Sequence, residues 1–325
     1  MKHFSLRGMA LFAALAIAQP VSAQTVKVAL DSPPDAENSG SYIWAHAFVE
    51  HLNANGMKAQ EFQRGALGNE AERLDQVASG LLEVSMSALK SAGTLDKYIF
   101  GLYLPYFFKD MAEVDKALYE GGMLAKINAG TTPKGVRVLG VDSVGLGAGI
   151  FNTKHPVKTI ADMSDLRMRA LDESQIELYK AWGANGTVVS WAEVPNALQT
   201  GVAHGYLNPP FVPMMFGHTK FIKHFTDARI NPSLRIAIAS ESWYKGLSAE
   251  HRKVVDDAVV VANKANRDWL AARSGILAKL EAAGVAVVKL SEEERAKFKA
   301  ASKPAYTNGL LTPEQIAEWT KAKDM

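Results

Sequence analysis

A chain of 325 residues, 48% hydrophobic, 22% charged and without cysteine, can bury a large core but has no disulfide or thiolate metal site to brace it. Lys2 and Arg7 account for the formal charge of +2, and without them 34 basic side chains stand against 34 acidic ones. No basic run appears, which excludes nucleic acid as an expected partner, because phosphate binding needs clustered cations.

Lys2 and Arg7 open the chain, Met9 to Ala18 is apolar, and Pro20 precedes the small residues Val21-Ser22-Ala23. This is the pattern of a signal peptide over 1–23, cleaved near Ala23, too short to span a membrane comfortably. It predicts export to the periplasm and a soluble mature chain. Val26 to Leu30 alternates and reads as a strand, and Ile43, Trp44, Ala47, Phe48 and Leu52 recur at helical spacing. Asn69 with Glu72 resembles a capping box, opening a helix that stops at Gly80. Leu82 to Met86 reads as strand, Val114 to Ile127 as helix and Val136 to Val141 as strand. The alternation predicts an α/β fold with parallel strands, and the length suggests two lobes.

Catalytic motifs are absent. No Gly-x-Ser-x-Gly elbow, no His-Glu-x-x-His and no phosphate loop occurs. Gly145-Leu146-Gly147-Ala148-Gly149 lacks the last glycine of a dinucleotide fingerprint, so close backbone packing is the expected reason for these glycines. The histidines are scattered. No catalytic residue, cofactor or metal ligand is expected.

In Leu166-Arg167-Met168-Arg169 both arginines share one strand face, and Arg167 reads as a surface residue. Ser190-Trp191-Ala192-Glu193 reads as a capping box, giving Glu193 a structural task first. The helix it opens runs to Gly201, with Pro195 bending its first turns. His204 to Leu207 reads as a short strand, ended by Asn208-Pro209-Pro210. From Ser248 to Ala283 an apolar stripe at three-four spacing contains no proline. One helix over 248–283 would be about 54 Å long, enough to brace two lobes, with Gly275 its weak point.

The order of these motifs resembles the periplasmic solute-binding proteins of TRAP transporters, the DctP family. The resemblance rests on Gly65-Ala66-Leu67-Gly68, Gln76 to Gly80, Leu104 to Phe108, Asp165 to Arg169, Glu193 to Val202 and Gly205 to Pro209. It implies a two-lobed periplasmic-binding-protein-like fold with a long helix bridging both lobes. Residues 24–147 with 234–275 would form lobe I, and 148–233 with 276–325 lobe II. It also implies that Arg169 forms a two-pronged salt bridge with a ligand carboxylate and that Asn208 hydrogen-bonds the same group. Guanidinium matches a carboxylate with paired donors, which lysine cannot copy. Trp44, Trp191, Tyr206 and Phe211 are candidate cleft aromatics, and Glu193 joins the candidate ligand-binding residues.

Many members of that family carry a further arginine where alignment places Gly149. Its absence makes sugar acids held by two arginines a poorer expectation than a monocarboxylate with an apolar or aromatic tail. The expected function is capture of a small organic acid between the lobes and delivery, as a monomer, to the membrane subunits of a TRAP transporter. The alternatives are a binding protein of another transporter or sensor, and an exported α/β enzyme.

Overall fold

The computed structural model describes residues 25–273, 275–307 and 310–325. The expected signal peptide lies outside them. Strands numbered along the chain are β1 (Val26–Ala29), β2 (Ala59–Phe62), β3 (Val84–Ser87), β4 (Val136–Ser143), β5 (Gly149–Asn152) and β6 (Arg167–Ala170). They continue as β7 (Asn185–Val188), β8 (Gly205–Asn208), β9 (His224–Asp227), β10 (Leu234–Ser240) and β11 (Ala286–Lys289). One sheet has the order β2-β1-β3-β10-β4 and the other β11-β9-β5-β8-β6-β7. Each is the centre of one lobe.

Alternation within β10 shows how the first sheet is covered. Leu234, Ile236 and Ile238 point into one core, with Val138, Val141 and Leu102. Ala237 and Ala239 point into the other, with Trp44, Phe48, Ala258 and Ala262. Small residues on this side let the helices Gly40–Ala54 and Ala249–Ala271 lie close to the strands. Parallel strands were expected, but both sheets are mixed: β10 runs antiparallel to β3 and β4, and β5 antiparallel to β8 and β9. These reversals arise because the chain passes between lobes at 144–148 and again at 228–233. The two passages are hydrogen-bonded side by side, Val144 N to Ser233 O at 3.0 Å and Ala148 N to Asn231 O at 2.9 Å.

Local signals formed as written where they were self-contained. Asn69 Oδ1 accepts from Ala71 N and Glu72 N, and Glu72 Oε2 accepts from Asn69 N at 2.7 Å. Gly80, at φ 82°, closes that helix. Other elements differ. The helix expected over Val114–Ile127 is Met111–Asp115, a π-helical turn Lys116–Glu120, then Met123–Thr131 after Gly121-Gly122. Ser190 makes no side-chain cap, because a 3-10 turn, Trp191–Glu193, precedes the helix Val194–Thr200. Pro195 sits in the first turn of that helix, where it needs no donor, so it does not bend it.

The bridging element is not continuous over 248–283. Ala249–Ala271 is one helix and Ile276–Ala282 another, with Gly275 as the second one's N-cap. Trp269 and Ile276, on either side of the break, pack together with Phe211 of lobe II. The end of the chain also departs from the expected division. The helix Pro313–Asp324 returns to lobe I, where Trp319 is fully buried among Leu102, Phe108 and Ala117. Its indole packs against Gly101, where any Cβ would overlap the ring, and Nε1 donates to Tyr98 O at 3.0 Å. Residues 276–325 are therefore not all part of lobe II.

Candidate functional site

β6 and β8 are parallel neighbours, with Arg169 opposite Tyr206. Paired residues share a face, and Asn208, two beyond Tyr206, shares it too. Arg169 and Asn208 thus stand at the carboxyl ends of adjacent parallel strands, the edge at which open α/β sheets bind ligands. Between the lobes at this edge lies a cavity of about 650 Å³. Arg169, Trp191, Asn208 and Phe216 line it from lobe II, and Arg64, Tyr103 and Arg235 from lobe I.

Arg169 is only 5% exposed. Its Nε donates to Val189 O at 2.9 Å, and its Cζ lies 5.5 Å from the ring centroid of Trp191. Tyr179 steadies the strand beneath by donating its hydroxyl to Arg169 O at 2.9 Å. Nη1 and Nη2 have no protein acceptor among the described residues, and the side chain lines the cavity. Burial pushes the guanidinium pKa down from its usual value. A guanidinium so placed favours an anion. Beneath Trp191, His218 accepts or donates at 3.2 Å with the Tyr206 hydroxyl, and burial pushes it down to about 4. It is therefore neutral at neutral pH and adds no second positive charge there.

Across the cavity, the Tyr103 hydroxyl is buried without a hydrogen-bond partner among the described residues. Burial raises its pKa, so it remains a protonated donor. It stands close enough to Arg169 for the two to interact electrostatically. A carboxylate on Arg169 would meet donors from both lobes.

The model of the bacterial extracellular solute-binding proteins of family 7, named DctP, matches residues 36–310. The chain belongs to this DctP family. It is 27% identical over 308 residues to the ectoine/5-hydroxyectoine-binding periplasmic protein UehA of Ruegeria pomeroyi, covering 89% of this chain and 86% of that one. It is 25% identical over 291 residues to the 2,3-diketo-L-gulonate-binding periplasmic protein YiaO of Escherichia coli, covering 87% and 85%. A TRAP periplasmic solute-binding protein from Roseobacter denitrificans, with bound β-D-glucuronate, superposes with a TM-score of 0.81 at 24% identity, covering 92% of this chain and 99% of that one. One from Sulfitobacter, with bound β-D-galacturonate, gives 0.81 at 19%, covering 93% and 100%. The two-lobed α/β fold is that of these neighbours, and the chain is a TRAP-type solute-binding protein.

In this DctP protein, Arg169, Asn208 and Trp191 line one cavity, whereas the other four sequence candidates do not. Trp44 is fully buried in the lobe I core, stacked on Phe48 at 5.2 Å, with Nε1 donating to Asn263 Oδ1 at 2.8 Å. Phe211 is fully buried against Trp269, with ring centroids 5.2 Å apart. Glu193 is exposed, at the end of its 3-10 turn. Tyr206 is also fully buried, but supports Trp191 edge-on at 5.5 Å.

Gly149 cannot carry the family's extra cation. A Cβ there would overlap Thr226 O and the Phe225 ring, because β5 lies tightly against β9. The inference that the site has one cation is nevertheless corrected, because Arg64, Arg73 and Arg235 all line the cavity. Two of these had a sequence signal. Arg235 interrupts the apolar run of β10, and Arg73 adjoins the buried Leu74 on its helix. A charge on an otherwise buried face needs a partner, and here it marks the cleft.

Proposed function

We propose that this protein captures a small organic acid by its carboxylate and presents it to the membrane subunits of a TRAP transporter. The observation that carries this reading is Arg169, buried at the cavity edge with neither Nη group partnered among the described residues. Those two donors match the two oxygens of a carboxylate. Asn208 supplies a further amide donor from the next strand, and Tyr103 a hydroxyl from lobe I. The relatives that bind ectoine, diketogulonate, galacturonate or glucuronate all take solutes with a carboxylate, which fits the same grip.

Capture works through closure. The lobes are joined by the two paired passages and by the helix pair around Gly275, so they can rotate about that seam. A solute touching Arg169 and Tyr103 together favours the closed arrangement by its differential contacts. The protein acts in the periplasm as a monomer, after removal of residues 1–23. It carries out no chemistry on its solute. Calorimetry on the parent and on Arg169→Lys tests the grip. Lysine keeps the charge but loses the paired donors, so affinity for the bound acid should fall at least tenfold. Equal affinities would overturn the role of Arg169.

A further inference from the structure

Beside the cavity, one cation of lobe I is tied to lobe II. Lys90 stands on the helix Leu89–Gly93, whose Leu89 and Ala92 are buried in the lobe I core. Its Nζ crosses to lobe II, donating to Leu171 O at 2.9 Å and lying 3.9 Å from Asp172 Oδ2. Leu89 and Leu171 line the cavity, whereas Lys90 and Asp172 do not. The bridge therefore stands outside the space a solute would fill, and the Lys90 side chain stays half-exposed as it spans the lobes. Arg64 of lobe I makes a second contact across the cleft, its Cζ 5.6 Å from the ring centroid of Phe216. The lobes stand closed.

The turn that receives Lys90 is braced from within lobe II. Asp172 caps the helix Glu173–Ala181, accepting from Gln175 N at 3.2 Å and from Ser174 Oγ at 2.5 Å. Gln175 Oε1 accepts from Leu171 N at 2.7 Å. Leu171 lies two residues beyond Arg169, so the strand carrying the candidate grip runs directly into the seat for Lys90. Asp172 is also close enough to Arg169 for their charges to interact. An anion on Arg169 is repelled by Asp172, and Lys90 offsets that charge only while the lobes are closed.

We infer that Lys90 is a positioning residue, a latch that touches no solute and sets what fraction of the molecules is closed. This rests on lobe closure as the mode of capture. The contacts of Lys90 with Leu171 and Asp172 exist only when the lobes meet, so removing them shifts the equilibrium toward the open state by their strength alone. An exposed ion pair is weak and screened by salt, but an ammonium that also donates to a backbone carbonyl is held more firmly.

The chain has no cysteine, so Lys97→Cys in lobe I and Glu177→Cys in lobe II, both exposed, carry a single pair of spin labels. Pulsed electron spin resonance reads the interlobe distance in this labelled parent and in its Lys90→Gln and Lys90→Arg variants. Each is measured without solute and with excess ectoine, D-glucuronate or 2,3-diketo-L-gulonate as probes. The parent should show a short and a long distance. Lys90→Gln should lower the short-to-long ratio at least threefold, and Lys90→Arg should change it less than twofold. Added salt should lower the ratio more in the parent than in Lys90→Gln. An unchanged ratio in Lys90→Gln, Lys90→Arg as open as Lys90→Gln, or equal salt responses would each overturn the latch and leave closure standing. A single distance in the parent under every condition would overturn closure itself, and the latch with it.

Discussion

A guanidinium that already gives one donor to a backbone carbonyl and rests on an indole has little rotamer freedom left to lose when a ligand arrives. This preorganisation distinguishes Arg169 from Arg167, two residues earlier, which is exposed and turns its guanidinium to Gly201 O. The Tyr103 hydroxyl is a sharper probe, because it is buried and unpartnered among the described residues. Tyr103→Phe should weaken the bound acid by about 1.5 kcal/mol, the size of a hydrogen bond to a charged group. The ligand-free protein should be as stable as the parent or more so, since an unsatisfied polar group is removed. Calorimetry and denaturant melts of the same preparation read both effects. Trp44 should behave in the opposite way. Trp44→Ala should cost about 3–5 kcal/mol of stability in denaturant melts and leave affinity unchanged, as for any large core aromatic.

At the scale of elements, the end of β4, where the chain leaves lobe I, is pinned by Asn266, fully buried near the end of its long helix. Its Oδ1 accepts from Ser143 N at 3.1 Å, and Nδ2 donates to Gly40 O and Ser143 O, both at 2.9 Å. Asn266→Ala leaves these backbone groups unpaired and should cost about 2–4 kcal/mol in a urea melt. No residue pattern announced this role. What the sequence did reveal was local: the Asn69 cap, the Gly80 stop, and strands whose side chains alternate. The apolar stripe of 248–283 continues through Gly275 unchanged, so periodicity alone could not see the helix break. Nor could it place Trp319, whose partners in the Gly101 segment are about two hundred residues away. Arg169 and Asn208 were legible because motifs surround them. Arg64 stands in an ordinary turn, and its surroundings exist only once the lobes face each other.

At the scale of the molecule, one buried acid links stability to pH. Asp142 in β4 is fully buried, and neither carboxylate oxygen has a partner among the described residues. Burial, reinforced by Asp31, pushes its carboxyl up to about 7, and the nearby Ser41 hydroxyl, Arg235 and Arg267 oppose this only in part. The folded chain therefore holds a proton that the unfolded chain releases at lower pH. This contribution to stability is complete below the ordinary carboxylate range and is lost as pH rises through about 7. Asp142→Asn should be more stable than the parent at pH 8, by up to about 4 kcal/mol, and should match it near pH 4. Urea denaturation at both values checks the sign. A tightly bound acid at 100 times its dissociation constant should add about 2.7 kcal/mol to either protein.

The position of β10 has a consequence in time. It lies between β3 and β4 in the first sheet, yet follows all five strands from β5 to β9 in the chain. As a polypeptide emerges N-terminus first, from a ribosome or an export channel, β3 and β4 wait side by side for a strand still to come. Until residue 240 is out, both present unpaired edges, and the last helix must then arrive to cover Gly101. Neither lobe can be finished alone. The chain stays loose through most of its emergence and closes late, which suits threading but makes every prematurely ended product a carrier of sticky strand edges.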